Sequence, residues 1–299
     1  MNENILKELR HSLLERVSID SLPIPVLERQ SIANTWGTNS IEGNTLSFAE
    51  VEKVIRSGQG VRNRPLGDII ETRNHYMAFM SLVSLIPKRI DLVMVQELHE
   101  KVFKGVMQDA GQWRRSNVWI RSASFTPTRW EKVIPQLTEW QREYAKRETA
   151  GGDPFESAAW MHQRFESIHP FTDGNGRVGR LLLNLHFLKH NWPPVSITPH
   201  NRIDYLDALE KGNEGDLASL TEFLRVVMSQ SLIDLLDQVG STKDDELLTT
   251  TELGKKPPYS AKYLALRAKQ GSLPAMKRAR DWMTSRRSLN LYLKYVGRG

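Results

Sequence analysis

The chain reads as an all-α protein, a helical bundle with one short β-like segment, followed by a small, chemically different C-terminal domain. Two observations predict this. Apolar residues recur at helical spacing through most of the first 240 positions, with proline and glycine breaking the runs at helix-sized intervals. Charge then divides the chain: residues 241–299 hold 13 Lys or Arg against 5 Asp or Glu, while the first 240 hold 28 against 30, so the overall balance of +6 comes from the tail. A length of 299 residues suits one larger domain and one small accessory domain. There is no cysteine, which excludes disulfides, thiolate nucleophiles and Cys-type zinc sites. The charged, helix-like start Met1-Asn2-Glu3-Asn4-Ile5 is no signal peptide, and no apolar run approaches the roughly 18 residues of a membrane span, so a cytoplasmic protein without a membrane partner is expected.

In chain order, residues 2–16 give a short amphipathic helix, and Pro23 and Pro25 punctuate it before a second run that leads into Thr38-Asn39-Ser40-Ile41-Glu42-Gly43-Asn44. Ser47-Phe48-Ala49-Glu50 has the capping-box pattern and should open a helix holding Val51, Val54 and Ile55. Further helical patterns cover 71–85 and 93–106, with Met77 and Met80 as core packing. Asn117-Val118-Trp119-Ile120-Arg121, followed by Ser122, Ala123, Ser124 and Phe125, is the β-like stretch, and Thr126-Pro127 should close it. A helical run through 158–165 must end before Pro170, which disfavours helix at His169. A new helix begins near Arg177 with Leu181, Leu182, Leu185 and Leu188 on its apolar face. His162, His186, His190 and His200 form no compact ligand set in sequence and read as structural or solvated.

Between these helices lie twelve residues rich in chemistry, His169-Pro170-Phe171-Thr172-Asp173-Gly174-Asn175-Gly176-Arg177-Val178-Gly179-Arg180. The Gly174 to Gly176 turn falls where free backbone N–H groups and the positive end of a helix dipole meet. Arg177 and Arg180 oppose that dipole by about 0.3–1 kcal/mol each, so an anionic ligand, a phosphate ester above all, would account for them. His169 has the one side chain of the loop that titrates near neutrality, which suits a general base, although a helix C-terminus should raise its pKa. Asp173 offers hard oxygen ligands for Mg²⁺.

This stretch resembles the signature of the Fic family, His-Pro-Phe-x-(Asp or Glu)-Gly-Asn-Gly-Arg-x-x-Arg, and every specified position is matched. The resemblance implies an all-α Fic fold with a small β-hairpin flap, and a protein adenylyltransferase that moves AMP from ATP to a Ser, Thr or Tyr hydroxyl and releases pyrophosphate. It implies His169 as base and Asp173 as ligand of Mg²⁺ or Mn²⁺. Gly174, Asn175, Gly176, Val178 and Gly179 would bind the nucleotide, Asn175 and the glycines cradling the α-phosphate, with Arg177 and Arg180 on the β- and γ-phosphates. Ile120, Arg121 and Ser122 fall where the family's flap aligns its protein target by strand pairing, and Tyr205 and Asn213 where it lines the adenine pocket. Thr38, Glu42 and Gly43 match the family's inhibitory motif, (Ser or Thr)-x-x-x-Glu-(Gly or Asn), which implies that Glu42 competes with the γ-phosphate for Arg180. The partners implied are a target protein and the chain itself, by auto-modification; a homodimer stays open. Phosphocholine or phosphate transfer on the same scaffold, removal of AMP with Glu42 orienting water, and a DNA-binding regulator with a Fic sensor domain are the alternatives.

The basic tail resembles the small winged helix-turn-helix domains of excisionase and MerR-like proteins. Leu248 to Gly254 and Ser260 to Lys269 would be its first two helices, Pro257-Pro258 the turn between them, Lys277 to Trp282 the wing, and Arg287 to Leu293 the closing helix. Ser260, Lys262, Tyr263 and Arg267 would then approach DNA; a protein-docking module is the other reading. The expected domains are 1–64 with the inhibitory motif, 65–238 with the catalytic loop, a linker near 238–245, and 245–299.

Overall fold

The computed structural model describes residues 1–120, 125–240, 242–255 and 259–297. Local signals set the helix ends. Asn2 caps α1 (Glu3–Leu14), its side chain accepting from the Asn4 N–H at 2.9 Å. Pro25 sits in the first turn of α2 (Ile24–Ile41), where no intrahelical N–H bond is lost. The capping box of Ser47 and Glu50 opens α3 (Phe48–Ser57), and Gly58, at φ 67°, closes it. The run expected over 71–85 is two helices, α4 (Leu66–Met80) and α5 (Leu82–Leu85), divided at Ser81. Asp91 caps α6 (Leu92–Phe103). α7 (Val133–Ala150) ends at left-handed Gly151, and α8 (Pro154–Ile168) has Asp153 as cap and Pro154 in its first turn. There follow α9 (Asn175–Lys189), α10 (Arg202–Asn213) and α11 (Leu217–Val239).

Contacts divide the chain into two units. One comprises Leu27–Asn191 and Ser196–Thr221. Its centre is α9, in which every residue from 177 to 188 is buried. A helix buried all round must be packed on several sides, and α5, α6 and α8 pack on it, α7 and α10 on α8, and α4 on α6. The four leucines legible in sequence are one face of this helix; Asn184 and His186 are buried on it too. Over the described residues 117–120 the β-like stretch carries no strand, and Trp119 is 81 % exposed. Arg121 and Ser122 lie outside the described residues.

The other unit comprises Met1–Val26, Trp192–Val195 and Glu222–Gly299. Past α11 come β1 (Leu248–Thr249), α12 (Thr250–Leu253), α13 (Ala261–Lys269), β2 (Met276–Arg278), β3 (Asp281–Thr284) and α14 (Arg286–Tyr295). The three strands are antiparallel in the order β1-β3-β2, with Met276 opposite Met283 and Leu248 opposite Thr284. The expected turn at Pro257-Pro258 lies outside the described residues. Ser260 caps α13, and Tyr263 is engaged by the Tyr292 hydroxyl at 3.0 Å and by the Arg267 guanidinium over its ring. α1 packs on α14, so the N-terminal helix goes with the tail and not with the segment carrying Glu42. At the end of the expected linker Asp245 is held in place. Asp245 is 1 % exposed and accepts from Arg287 Nε at 2.5 Å and Arg16 Nη2 at 2.7 Å. Burial opposes its charge, but these hydrogen bonds outweigh that and pull its pKa to about 2.

Candidate active site at the start of α9

The loop between α8 and α9 is held by its own backbone. His169 ends α8 in the left-handed region, φ 51° and ψ 62°, so Pro170 excludes it from the helix as expected. A non-glycine residue there persists only where its surroundings fix it. Arg114, 3 % exposed, does so: its Nε donates to the His169 carbonyl at 2.7 Å, its Nη1 to Ser116 O at 2.7 Å, and its Nη2 to Thr128 O. Phe171 is fully buried and stacks on His99 with ring centroids 3.7 Å apart. His99 Nε2 donates to the Asp173 carbonyl at 3.0 Å, while its Nδ1 accepts from the Gly111 N–H at 2.8 Å. No sequence spacing pointed to Arg114 or His99; both act on backbone carbonyls far along the chain.

Helix α9 begins at Asn175, two residues before the expected start, with left-handed Gly174 as its cap at φ 81°. A Cβ on Gly174 would lie 2.1 Å from the Phe103 ring, so the position needs glycine for space as well as for φ. No side chain caps this end, which leaves the first-turn N–H groups to a ligand. Asn175 does not line that ligand position with its side chain. Its amide accepts from the Phe171 N–H at 2.9 Å and donates to the Phe171 carbonyl at 3.0 Å, a clamp on the loop.

The imidazole of His169 departs from the sequence expectation. Burial pushes its pKa down to about 4, against the pull of the Glu166 carbonyl, so desolvation outweighs the helix C-terminus. The ring is neutral at pH 7. Its Nδ1 lies 3.3 Å from the Glu166 carbonyl, which can only accept, so the proton sits on Nδ1 and the lone pair on Nε2.

Both arginines are balanced by carboxylates of the chain itself. Arg177 Nη1 is 2.6 Å from Glu71 Oε2 and Nη2 is 2.9 Å from Asp173 Oδ1, with the guanidinium over the Phe103 ring. Arg180 Nη2 donates to Glu42 Oε1 at 2.5 Å, Nε to the Thr38 hydroxyl at 2.6 Å, and Nη1 reaches the Tyr205 hydroxyl at 3.4 Å. Thr38 and Glu42 therefore meet Arg180 together. Burial opposes the charge of Glu42, yet Arg180 and Arg177 outweigh it and hold the carboxyl below its usual range. A Cβ on Gly176 would be 2.3 Å from Glu42 Oε1, so this glycine lets the carboxylate close over the first turn of α9. Glu71 went unnoticed in the sequence; its only mark was a charge in a stripe that α4 buries with Thr72 and His75.

Tyr205 is not open to a base. It is 1 % exposed, and its hydroxyl lies 2.7 Å from His162 Nε2, so it sits in the core beneath Arg180 instead of lining a pocket. Asn213 Oδ1 accepts from Gln163 and Ser167, both at 2.8 Å, and so is tied to α8. Glu166 was also missed. Burial drives its pKa up to about 8, and its Oε1 is buried without a partner among the described residues. A Cβ on Gly179 would be 2.3 Å from that oxygen.

The sequence pattern of the Fic/DOC family matches residues 89–187, the span from the start of α6 to the last turn of α9. This chain contains a Fic domain. A protein adenylyltransferase of Caenorhabditis briggsae is 32 % identical over 213 residues, 70 % of this chain and 41 % of that protein. Among solved structures, residues 134–508 of Fic-1 from Caenorhabditis elegans superpose with a TM-score of 0.69 at 26 % identity, covering 79 % of this chain and 72 % of that one. A Fic domain containing signaling protein from Bacteroides thetaiotaomicron gives 0.71 at 20 % identity over 79 % and 97 %. The mostly helical fold is thus a Fic fold. The chain spans less than half the length of the Caenorhabditis briggsae relative.

Proposed function

We propose that this Fic domain is a protein adenylyltransferase that moves AMP from ATP to a hydroxyl of a protein, and that Glu42 restrains it. The observation that carries this is the pair made at one place: a neutral His169 with its Nε2 lone pair available, beside an uncapped helix N-terminus whose Arg180 fork is held by Glu42. The attacking hydroxyl gives its proton to His169 Nε2, its oxygen bonds to the α-phosphorus, and the bond from that phosphorus to pyrophosphate breaks. N–H groups of Asn175, Gly176 and Arg177 face the developing phosphate charge, and Arg180, once Glu42 leaves, meets the γ-phosphate. Asp173 is solvent-exposed and a hard oxygen donor, which fits Mg²⁺ or Mn²⁺ bound largely through phosphates and water; such an ion would offset phosphate charge. The relatives' names support the chemistry. The expected flap around Ile120, with Trp119 exposed beside it, suits a strand-pairing contact with a protein target, the chain itself included. The basic balance of 241–299 favours contact with a polyanion such as DNA.

A second reading follows from where Glu42 lies. An ionised carboxylate over the first turn of α9 can also orient a water for removal of AMP from a modified protein. One experiment separates the two. Incubated with ATP labelled at the α-phosphate, Glu42→Gly should label itself or lysate proteins more than wild type, and His169→Ala in that background should not label. Unchanged labelling in Glu42→Gly, with wild type releasing AMP from modified protein, would replace transfer by removal.

A further inference from the structure

His186 and His190, read in sequence as scattered, come together with Glu148 at the far end of α9. His186 and His190 are one turn apart, with ring centroids 4.4 Å from each other, and Glu148 of α7 reaches both. Glu148 Oε1 is 3.0 Å from His190 Nε2 and 3.6 Å from His186 Nδ1, and all three donor atoms lie within 4.8 Å of one another. We propose that Glu148, His186 and His190 bind a divalent first-row transition metal of the Zn²⁺ type, which staples α7 to α9.

The two separations from Glu148, 3.0 and 3.6 Å, fit. Tetrahedral bonds of about 2.0–2.1 Å place neighbouring ligand atoms about 3.3 Å apart. Orientation fits as well. His186 Nε2 is 2.8 Å from the Pro154 carbonyl, which can only accept; the proton is therefore on Nε2 and the lone pair on Nδ1, the atom facing Glu148. Metal-bound histidines typically have their second nitrogen fixed in this way. The Tyr144 hydroxyl, now 2.8 Å from His186 Nδ1, also reaches Glu148, so it can turn to the carboxylate when an ion takes the lone pair. His186 is wholly buried, while Glu148 and His190 are 23 % and 29 % exposed, which leaves one side open for entry and for a water as fourth ligand. Two imidazoles and a carboxylate suit zinc, cobalt or nickel; Mg²⁺ takes oxygen. The site lies roughly 14–20 Å along α9 from Arg177, at 1.5 Å per residue, so it is separate from the nucleotide's ion.

The test uses the full chain stripped by a chelator, with Zn²⁺ as probe in calorimetry and thermal melting, and Co²⁺ for its absorption bands. One Zn²⁺ per chain should bind and raise the melting temperature, and Co²⁺ should show the bands of a nitrogen-ligated tetrahedral ion. His190→Ala and Glu148→Gln, chosen because both side chains are partly exposed, should weaken binding by more than the roughly 10–100-fold that loss of a ligand's supporting partner costs. Asp173→Asn should bind Zn²⁺ as wild type does. The absence of saturable binding, of the cobalt bands in wild type, or of any effect of both ligand substitutions would each overturn the proposal.

Discussion

On His169 two effects of opposite sign act on a single ring. The end of α8 favours the imidazolium, while burial beside Arg114 disfavours it, and burial wins by enough to bring the pKa to about 4. The sequence shows the helix end because Pro170 marks it; it does not show desolvation, which comes from residues far along the chain. A base works only when unprotonated, so the acid limb of transfer by Glu42→Gly should lie well below pH 6.5. An activity profile from pH 4.5 to 8 that halves near 6.5 would contradict this. At Gly174 the constraint is steric and was legible only in part, since the glycine pattern signals positive φ but not the Phe103 ring. Gly174→Ala meets both a left-handed φ and a Cβ 2.1 Å from that ring. The variant should lose about 1–3 kcal/mol of stability, of the order expected for overpacking, together with ATP binding. A variant that melts and binds ATP like wild type would show that Phe103 moves aside freely.

The decisive element pair is the end of α2 and the start of α9. Their residue types were readable as two short motifs, yet what joins them, Thr38 and Glu42 closing on one guanidinium, links positions 138 apart in sequence and shows only in the folded chain. The proposed competition is for one fork: all three nitrogens of Arg180 are engaged, Nε by Thr38, Nη2 by Glu42 and Nη1 by Tyr205. If the closed state outweighs the open one by about 100 to 1, the bias is about 2.7 kcal/mol. Arg180→Ala added to Glu42→Gly should therefore abolish the transfer that Glu42→Gly gains, because the same fork serves inhibition and phosphate binding. Transfer by the double variant equal to that of Glu42→Gly would show that Arg180 acts only as Glu42's partner. Elsewhere the elements were unevenly legible. Capping signals placed α3, whereas the burial of α9 on every side was hidden, because polar Asn184 and His186 dilute its apolar pattern.

Across the whole molecule, charge composition separated the tail from the rest, but it could not show that α1 packs with α14 or that Asp245 is buried between Arg16 and Arg287. Those contacts join residues up to 287 positions apart. Burial of titratable groups also sets how the protein should respond to acid. His75 and His162 are fully buried and hydrogen-bonded to Thr35 and Tyr205, and desolvation, aided by Arg180, takes both to about 3. The unfolded chain takes up protons at these rings below about 6.5, whereas the folded chain does so only near 3. In that window the unfolded state binds more protons, so stability drops as the pH is lowered, by about 1.4 kcal/mol per pH unit for each ring. Glu166 acts in the other direction. Its folded pKa of about 8 exceeds the ordinary 4.5, so between these values the folded state binds the extra proton and gains stability as pH falls. Between pH 6.5 and 4.5 the two histidines therefore outweigh the one glutamate. Melting temperatures of wild type should drop over this range, and replacing both rings, His75→Gln with His162→Gln, should make the drop shallower even if the variant starts lower. Equal slopes in the two proteins would mean that the acid sensitivity arises elsewhere, with the other histidines that burial takes to about 4, His99, His169 and His186, the next source to test.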